Sequence, residues 1–129
     1  MPLEVTITDE PKNGKRISLA GSLDTDTAPQ LQARVDESID SSVTALILDM
    51  KDLEFLSSAG LGVIFMAMKE LKNRQGRIML INLQPQIQRV FDIIKAMDGM
   101  NIFKDREEMD AYLAEMQQQV LDGESSTRF

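Results

Sequence analysis

The chain has 129 residues, of which 43% are hydrophobic and 27% charged, as expected for a single soluble domain that buries a core. Its net charge of −7 argues against binding to nucleic acid or an acidic membrane surface, because both need clustered Lys and Arg. With neither Cys nor His, the chain forms no disulfide, no His- or thiolate-based metal site and no Ser-His-Asp triad. It shows no basic leader and no apolar run near the roughly 20 residues of a membrane span, so we expect a cytoplasmic protein.

The first part of the chain predicts a β-hairpin. Apolar and polar residues alternate over residues 3–8, which is the period of a half-buried strand. Residues 9–14 contain Pro and an Asn-Gly pair, as is typical of a turn. A second alternating run over residues 16–19 completes the hairpin, which ends at the stretch 21–24.

A helix and a central strand follow the hairpin. Residues 24–27 offer several capping oxygens before Pro29, and the helix after them stops at the polar run 40–42. Its apolar face consists of Ala28, Leu31, Val35 and Ile39. Residues 45–48 are continuously apolar, which predicts a strand covered on both faces at the centre of the sheet.

The stretch 52–62, with the sequence DLEFLSSAGLG, separates this strand from a long helical pattern. Two adjacent serines lie where that helix begins. Because a Ser side chain can accept a hydrogen bond from an N–H of the first turn, we predict that Ser58 is the N-cap. The helix stops at Gly76 and buries the face formed by Leu61, Ile64, Phe65, Met68 and Leu71.

The last part of the chain continues the alternation of strands and helices. Residues 78–83 predict a buried strand, and a helix starting at Pro85 and closed by Gly99 follows. The inward residues of that helix are Ile87, Val90, Phe91, Ile94 and Met97. A short strand over 101–103 leads to a final apolar stripe of Met109, Tyr112, Leu113, Met116 and Val120.

The predicted order of elements is therefore ββαβαβαβα, an α/β fold. Such alternation implies right-handed crossovers and a small mixed sheet with parallel pairs. A single layer of helices on the sheet suits a chain of this size. We expect one domain over residues 1–121 and a flexible tail over 122–129, where no periodicity remains.

The composition provides little for catalysis. The segment Gly60-Leu61-Gly62 matches neither of the glycine-rich phosphate-binding fingerprints, and no pair among the 21 carboxylates has a special spacing. We therefore predict that the protein is not an enzyme and uses no metal and no cofactor of its own.

A serine that its own chain cannot activate can still accept a phosphoryl group from another enzyme. Phosphorylation adds about −1.5 to −2 charge and three acceptor oxygens. A helix N-terminus tolerates that charge because its dipole and N–H groups favour anions. A partner docked over the same position would be repelled, so a serine placed here suits a binding switch.

Several stretches resemble the STAS domains, and in particular the bacterial anti-sigma factor antagonists. The sequence DLEFLSSAGLGVI over residues 52–64 looks like the signature of that family. Gly21-Ser22-Leu23-Asp24 is similar to its G-x-L-D turn, and Thr27-Ala28 follows at the expected place. Residues 46–53 resemble its central strand and loop, and residues 87–91 its third helix. The resemblance extends over residues 3–118.

The family pattern at the loop, D-S-x-G-L, implies that Ser58 is the phosphoacceptor. Aligned on Gly60-Leu61, Ser57 stands where the family commonly has Asp. Ser57 is therefore an alternative acceptor, whereas Ala59 cannot be one.

The resemblance implies a partner-switching cycle. The unphosphorylated protein would bind an anti-sigma factor that is also an ATP-dependent serine kinase, and the sigma factor would be released. The kinase would phosphorylate Ser58 and weaken the complex, and a PP2C-type phosphatase would restore it. ATP belongs to the kinase, and we expect this chain to be a monomer. The implied partner-binding residues are Asp24, Thr27, Ser57, Ser58, Ala59, Gly60, Leu61 and Gly62.

Other interpretations of these residues stay open from the sequence. The chain can instead be a STAS-type module without phosphorylation, serving as a nucleotide-binding sensor or as an accessory subunit of a transporter complex. Ser58 can be only a helix cap, and Asp24 and Thr27 can simply cap the first helix. Gly60 and Gly62 cost helix propensity of about 1 kcal/mol each, which indicates close packing of the loop or close approach of a partner.

Overall fold

The computed structural model describes residues 2–98 and 101–123, and the side chains within residues 2–93 and 102–115. Over these residues, five strands and four helices follow the predicted order ββαβαβαβα. Their bounds are β1 (Leu3–Glu10), β2 (Gly14–Leu23), α1 (Ala28–Ser38), β3 (Ala45–Leu56), α2 (Ser58–Asn73), β4 (Arg77–Ile81), α3 (Pro85–Asp98), β5 (Asn101–Phe103) and α4 (Arg106–Gly123).

The strands form one mixed sheet in the order β1-β2-β3-β4-β5. β1 and β2 are the antiparallel hairpin that the sequence predicts, with Leu3 opposite Gly21 and Glu10 opposite Gly14. β2, β3, β4 and β5 pair in parallel, and β3 lies at the centre as predicted. Among the helices of the described residues, none combines the length and apolar character that crossing a membrane requires.

Different helices cover the two faces of the sheet. Leu46 and Leu48 of β3 pack in a large cluster with apolar residues of α1, α2 and α3, whereas Ile47 packs in a smaller cluster with α4. The smaller cluster contains Ile47, Met79, Ile81, Phe103 and Met109. The expectation of a single layer of helices is therefore wrong. Because β4 is buried and apolar at every position from 78 to 81, both of its faces need cover, and α4 covers the second.

β3 is longer than the apolar run from which it was predicted. The sequence indicates a strand over residues 45–48, but the strand continues through Leu56 because its second half pairs with β2. Polar residues between 49 and 54 hide this continuation in the sequence. Leu23 pairs with Leu56 at the end of the ladder, after two register shifts that each leave one extra residue in β3. Because β3 ends beside Leu23, the serine pair that follows it lies next to the end of β2.

A buried carboxylate links β3 to β2 and to the residue that follows β4. Asp49 is 7% exposed and accepts hydrogen bonds from Arg16 Nη2 at 2.8 Å, Asn82 Nδ2 at 3.0 Å and the Lys51 N–H at 3.1 Å. Burial by itself raises the pKa of Asp49, but the bonds from Asn82, Lys51 and Arg16 outweigh it and hold that pKa below its ordinary value. Asp49 is therefore ionised and structural.

The ends of the helices differ in detail from the predicted ones. α2 ends at Asn73, and Gln75, with φ of 62°, adopts the left-handed conformation that the sequence assigns to Gly76. Gly76 is needed for a different reason, since a Cβ atom there would lie 2.6 Å from the Thr44 carbonyl oxygen. α4 extends to Gly123, two residues into the expected tail. Gly99, residues 124–129 and the side chains of Ile94, Met97, Met116 and Val120 lie outside the described residues.

Candidate functional site

The two serines occupy different positions at the start of α2. Ser57 has extended backbone angles, with φ of −94° and ψ of 172°, and its Oγ accepts a hydrogen bond from the Gly60 N–H at 3.2 Å. Ser57 is therefore the N-cap, and the prediction that Ser58 caps the helix is wrong. The reason is the length of β3: because the strand runs to Leu56, Ser57 is the residue that remains extended, and Ser58 is already helical.

Exposure also separates the two serines. Ser57 is half-buried and its hydroxyl oxygen is occupied by the cap, whereas Ser58 is exposed in the first turn of α2. The N–H groups of that turn give the helix end a partial positive charge. An anionic group on Ser58 would therefore lie at an end of the helix that stabilises it.

A backbone hydrogen bond joins the serine loop to the turn that follows β2. The Ser57 N–H donates to the Leu23 carbonyl oxygen at 2.9 Å, which continues the pairing of β2 with β3 by one residue. Asp24 follows Leu23 directly. The structure thus brings the two predicted parts of the site, residues 24–27 and residues 57–62, together at the carboxyl ends of β2 and β3.

Asp24 and Thr27 bind each other across this turn, each through its backbone N–H and the side-chain oxygen of the other. The Asp24 N–H donates to Thr27 Oγ1 at 2.9 Å, and the Thr27 N–H donates to Asp24 Oδ1 at 3.0 Å. The Thr27 hydroxyl also donates to the Ser22 carbonyl oxygen at 2.8 Å. The backbone N–H of Thr27 is the main cause that lowers the pKa of Asp24 below its ordinary value. Asp24 is therefore an ionised carboxylate held in a fixed place.

These bonds change the interpretation of Asp24 and Thr27 as helix caps. Thr27 occupies the N-cap position of α1, but its side chain makes no cap hydrogen bond to the helix. The Ala28 N–H is satisfied instead by the Asp24 carbonyl oxygen at 2.8 Å. The two side chains stabilise the turn before α1, next to the serine loop.

The two glycines of the loop have different surroundings. Gly60 is buried, and a Cβ atom there would lie 2.5 Å from Leu23 Cγ and 3.0 Å from the Leu23 carbonyl oxygen. Gly60 thus permits α2 to pack closely on the end of β2, as one of the sequence interpretations expects. A Cβ atom on Gly62 would meet nothing within 4 Å. Packing inside the chain does not explain Gly62.

Two exposed apolar residues that the sequence analysis did not select, Phe55 and Met66, lie on the elements that flank Ser58, at the end of β3 and in α2. Phe55 is 52% exposed and Met66 is 64% exposed. Ala59, Gly62 and Met66, here called the outer face of α2, are spaced at helical intervals beside Ser58. Leu61, by contrast, is half-buried and packs on the large core cluster. Alternation along β3 places Phe55 on the same side as buried Leu53, so periodicity in the sequence does not indicate that Phe55 is exposed.

Comparison with known proteins assigns the family. The family model described as the STAS domain matches residues 5–109, and the chain belongs to this family. The anti-sigma F factor antagonist of Lysinibacillus sphaericus is 34% identical over 76 residues, which cover 58% of this chain and 65% of that protein. The anti-sigma-B factor antagonist of Listeria monocytogenes is 28% identical over 102 residues, which cover 79% of this chain and 90% of the other. The chain thus spans slightly less than two thirds of the first of these relatives.

The fold agrees with a solved member of the same family. The structure of the anti-sigma factor antagonist SpoIIAA in its unphosphorylated form matches with a TM-score of 0.69 and 25% identity, over 87% of this chain and 98% of the other. SpoIIAA in its phosphorylated form, described as a Bacillus cell fate determinant, matches with a TM-score of 0.67. The predicted STAS fold is confirmed.

Proposed function

We propose that this protein is an anti-sigma factor antagonist that acts by partner switching, with Ser58 as the phosphoacceptor. The observation that carries the proposal is the division of roles between the serines: Ser57 caps α2 and Ser58 is exposed beside it. The names of the relatives support the role, and a structural relative is known in both an unphosphorylated and a phosphorylated form. The partner in this proposal is an anti-sigma factor that is also an ATP-dependent serine kinase.

The unphosphorylated protein binds this kinase through the end of the sheet where Ser58 follows β3. The outer face of α2 provides a small, smooth apolar surface, and the exposed Phe55 adds to it. The Asp24 carboxylate supplies a fixed negative charge in the adjoining turn. The apolar contact gives the complex its affinity, and the oriented charge fixes how the kinase is positioned on the surface. The kinase releases the sigma factor when it binds this protein.

Phosphorylation of Ser58 ends the complex without unfolding the protein. The added charge of about −1.5 to −2 lies at the N-terminus of α2, where the N–H groups and the helix dipole favour it. At the interface the same charge is desolvated and lies near Asp24, so it opposes docking. A PP2C-type phosphatase removes it and restores binding.

Ser57 fits the acceptor role less well than Ser58. Its Oγ accepts the Gly60 N–H, and a kinase would need to withdraw this half-buried side chain from the helix end. Such a withdrawal removes a cap that contributes about 1 kcal/mol. Ser58 needs no such change.

Intact mass and phosphosite mapping of the protein from its own cells, before and after a PP2C-type phosphatase, tests the proposal. We expect one phosphatase-sensitive phosphoryl group on Ser58. Ser58→Ala should lose it, and the matched control Ser57→Ala should retain it. A phosphate on Ser57 would keep the cycle but overturn the choice of serine.

The absence of phosphate under several growth and stress conditions would overturn the cycle itself. It would favour a STAS module that binds constitutively, as a nucleotide-binding sensor or an accessory subunit of a transporter complex. Binding of a labelled nucleotide by the purified protein would then separate these two roles.

A further inference from the structure

Met66 differs in exposure from the other methionines whose side chains the structure describes. It is 64% exposed, whereas Met50, Met68, Met79 and Met109 are at most 8% exposed. Met68 is only two residues further along the same helix, yet it packs in the large core cluster. An oxidant dissolved in water must reach the sulfur to react with it. Among these five methionines, the core therefore protects four and leaves the sulfur of Met66 accessible.

The position of Met66 relates it to Ser58. Both are exposed on α2, and the eight residues between them correspond to about 12 Å along the helix axis. Met66 is the largest side chain of the outer face of α2, because the other two members are Ala59 and Gly62. An interface of ordinary size occupies about 800 Å² on each partner, so one that covers Ser58 extends to Met66.

We propose that Met66 is a second switch at this surface: hydrogen peroxide oxidises its thioether to the sulfoxide, and the sulfoxide opposes docking of the anti-sigma factor kinase. The inference rests on the proposed function, because it concerns the same docking surface. It adds a reversible modification that needs neither Ser58 nor ATP.

The reaction needs only the thioether and the peroxide. A lone pair of the Met66 sulfur attacks one oxygen of the peroxide, so that an S–O bond forms and the O–O bond breaks. The second oxygen leaves as water after it takes the proton of the first and one from solvent, to which the protonated sulfoxide returns a proton. The sulfur is oxidised by two electrons and the peroxide is reduced by two. Reductases specific for each sulfoxide epimer reverse the reaction.

The sulfoxide changes binding without changing the fold. In the free protein the new oxygen lies in water because Met66 is exposed, so the free energy of unfolding should stay the same. At the interface the same oxygen loses its water and gains no arranged donor, which opposes docking. A bound kinase covers the sulfur, so oxidation acts on the free protein and prevents its return to the complex.

Peroxide treatment of the full chain, followed by tandem mass spectrometry, tests the site. We expect Met66 to be oxidised at least about tenfold faster than Met68, because only Met66 is accessible. The bound kinase should slow the oxidation of Met66. Equal rates at Met66 and Met68 would overturn the inference.

Calorimetry with untreated kinase, after removal of the peroxide, tests the effect on docking. The oxidised natural chain should bind about tenfold more weakly, as expected when an apolar anchor becomes polar, and the two reductases should restore its affinity. Met66→Leu keeps an apolar side chain without sulfur and should bind equally before and after peroxide. The matched control Met68→Leu retains Met66 and should respond as the natural chain does.

The outcomes separate this inference from the proposed function. Unchanged binding of the oxidised natural chain would overturn the inference and leave the cycle at Ser58 intact. An equal loss of affinity in Met66→Leu after peroxide would assign the effect to another methionine and would also overturn it. Failure of the untreated natural chain to bind the kinase would overturn the proposed function, and this inference with it.

Discussion

The Oγ atom of Ser57 accepts a hydrogen bond from the backbone N–H of Gly60 at 3.2 Å, and this bond makes Ser57 the cap of α2. It assigns the capping role to one of two adjacent serines and leaves the other serine without that role. A side chain that satisfies the helix end is held half-buried, and the next one is left exposed. The helix cap and the proposed phosphoacceptor can therefore be changed independently.

Substitution of each serine by Ala tests this separation. Ser57→Ala should lower the free energy of unfolding by about 1 kcal/mol, because the Gly60 N–H loses its partner. Ser58→Ala should change it by less than about 0.5 kcal/mol, since an exposed helical Ser replaced by Ala loses no cap. Urea denaturation of both variants measures the difference. Equal losses for the two variants would contradict the assignment of the cap.

In the proposed cycle, binding to the anti-sigma factor kinase should depend on position 58, although the stability of the chain should not. Ser58→Ala should bind persistently in the presence of ATP because it cannot be phosphorylated. Ser58→Asp should bind about tenfold or more weakly, equivalent to about 1.4 kcal/mol or more, because the new charge is desolvated at the interface. Calorimetry with the purified kinase measures both affinities, and equal affinity would contradict the switch. Because Ser58 is not the cap, neither result would reflect unfolding.

The two glycines of the loop should respond oppositely to substitution by Ala. Gly60→Ala should destabilise the protein by about 1–3 kcal/mol, because the added carbon would lie 2.5 Å from Leu23 Cγ and force the core to shift. Gly62→Ala should stabilise it by about 0.5–1 kcal/mol, since the added methyl meets nothing within 4 Å and a helical Gly is replaced. Thermal unfolding of both variants provides the comparison.

Gly62→Ala also tests the outer face of α2 as the docking surface. If a partner approaches Gly62 closely, the stabilised variant should bind the kinase more weakly than the natural chain. Stabilisation together with unchanged binding would remove Gly62 from the proposed interface.

Asp49 should contribute to the loss of stability in acid. Its pKa is lower in the folded chain than in the unfolded chain, so its contribution is fully present above the unfolded value and is lost as the pH falls through the folded value. For an Asp, this loss begins near pH of about 4 and continues below it. Asp49→Asn should cost about 1–3 kcal/mol at neutral pH, because charge-assisted hydrogen bonds are lost.

Urea denaturation of the natural chain and of Asp49→Asn, from neutral pH to below the ordinary Asp pKa range, measures the free energy of unfolding of both proteins. The difference in stability between the natural chain and Asp49→Asn should shrink as the pH falls. Glu10, Asp24 and Asp40, whose pKa values are also lowered, are present in both proteins and do not contribute to this difference. A difference that stays constant with pH would show that Asp49 does not titrate as described.

The sequence alone determined the order of elements and indicated the candidate site. Periods of two and of about 3.6 residues are local properties, so the hairpin, the central strand and the helices could be recognised without contacts. The serine motif was also readable, because its spacing places small and polar residues at a helix start. The same holds for the exclusions: a chain without His and Cys cannot build the sites that need them.

Only the tertiary structure decided which serine caps α2, which glycine is sterically required and which face α4 covers. Each of these depends on the register between distant segments. The pairing of Leu23 with Leu56 extends β3 through polar residues and makes Ser57, not Ser58, the N-cap of α2. The same pairing places Leu23 against Gly60 and leaves Gly62 in open space. Periodicity identifies the apolar side of an element, but the surface that covers this side is set by long-range packing.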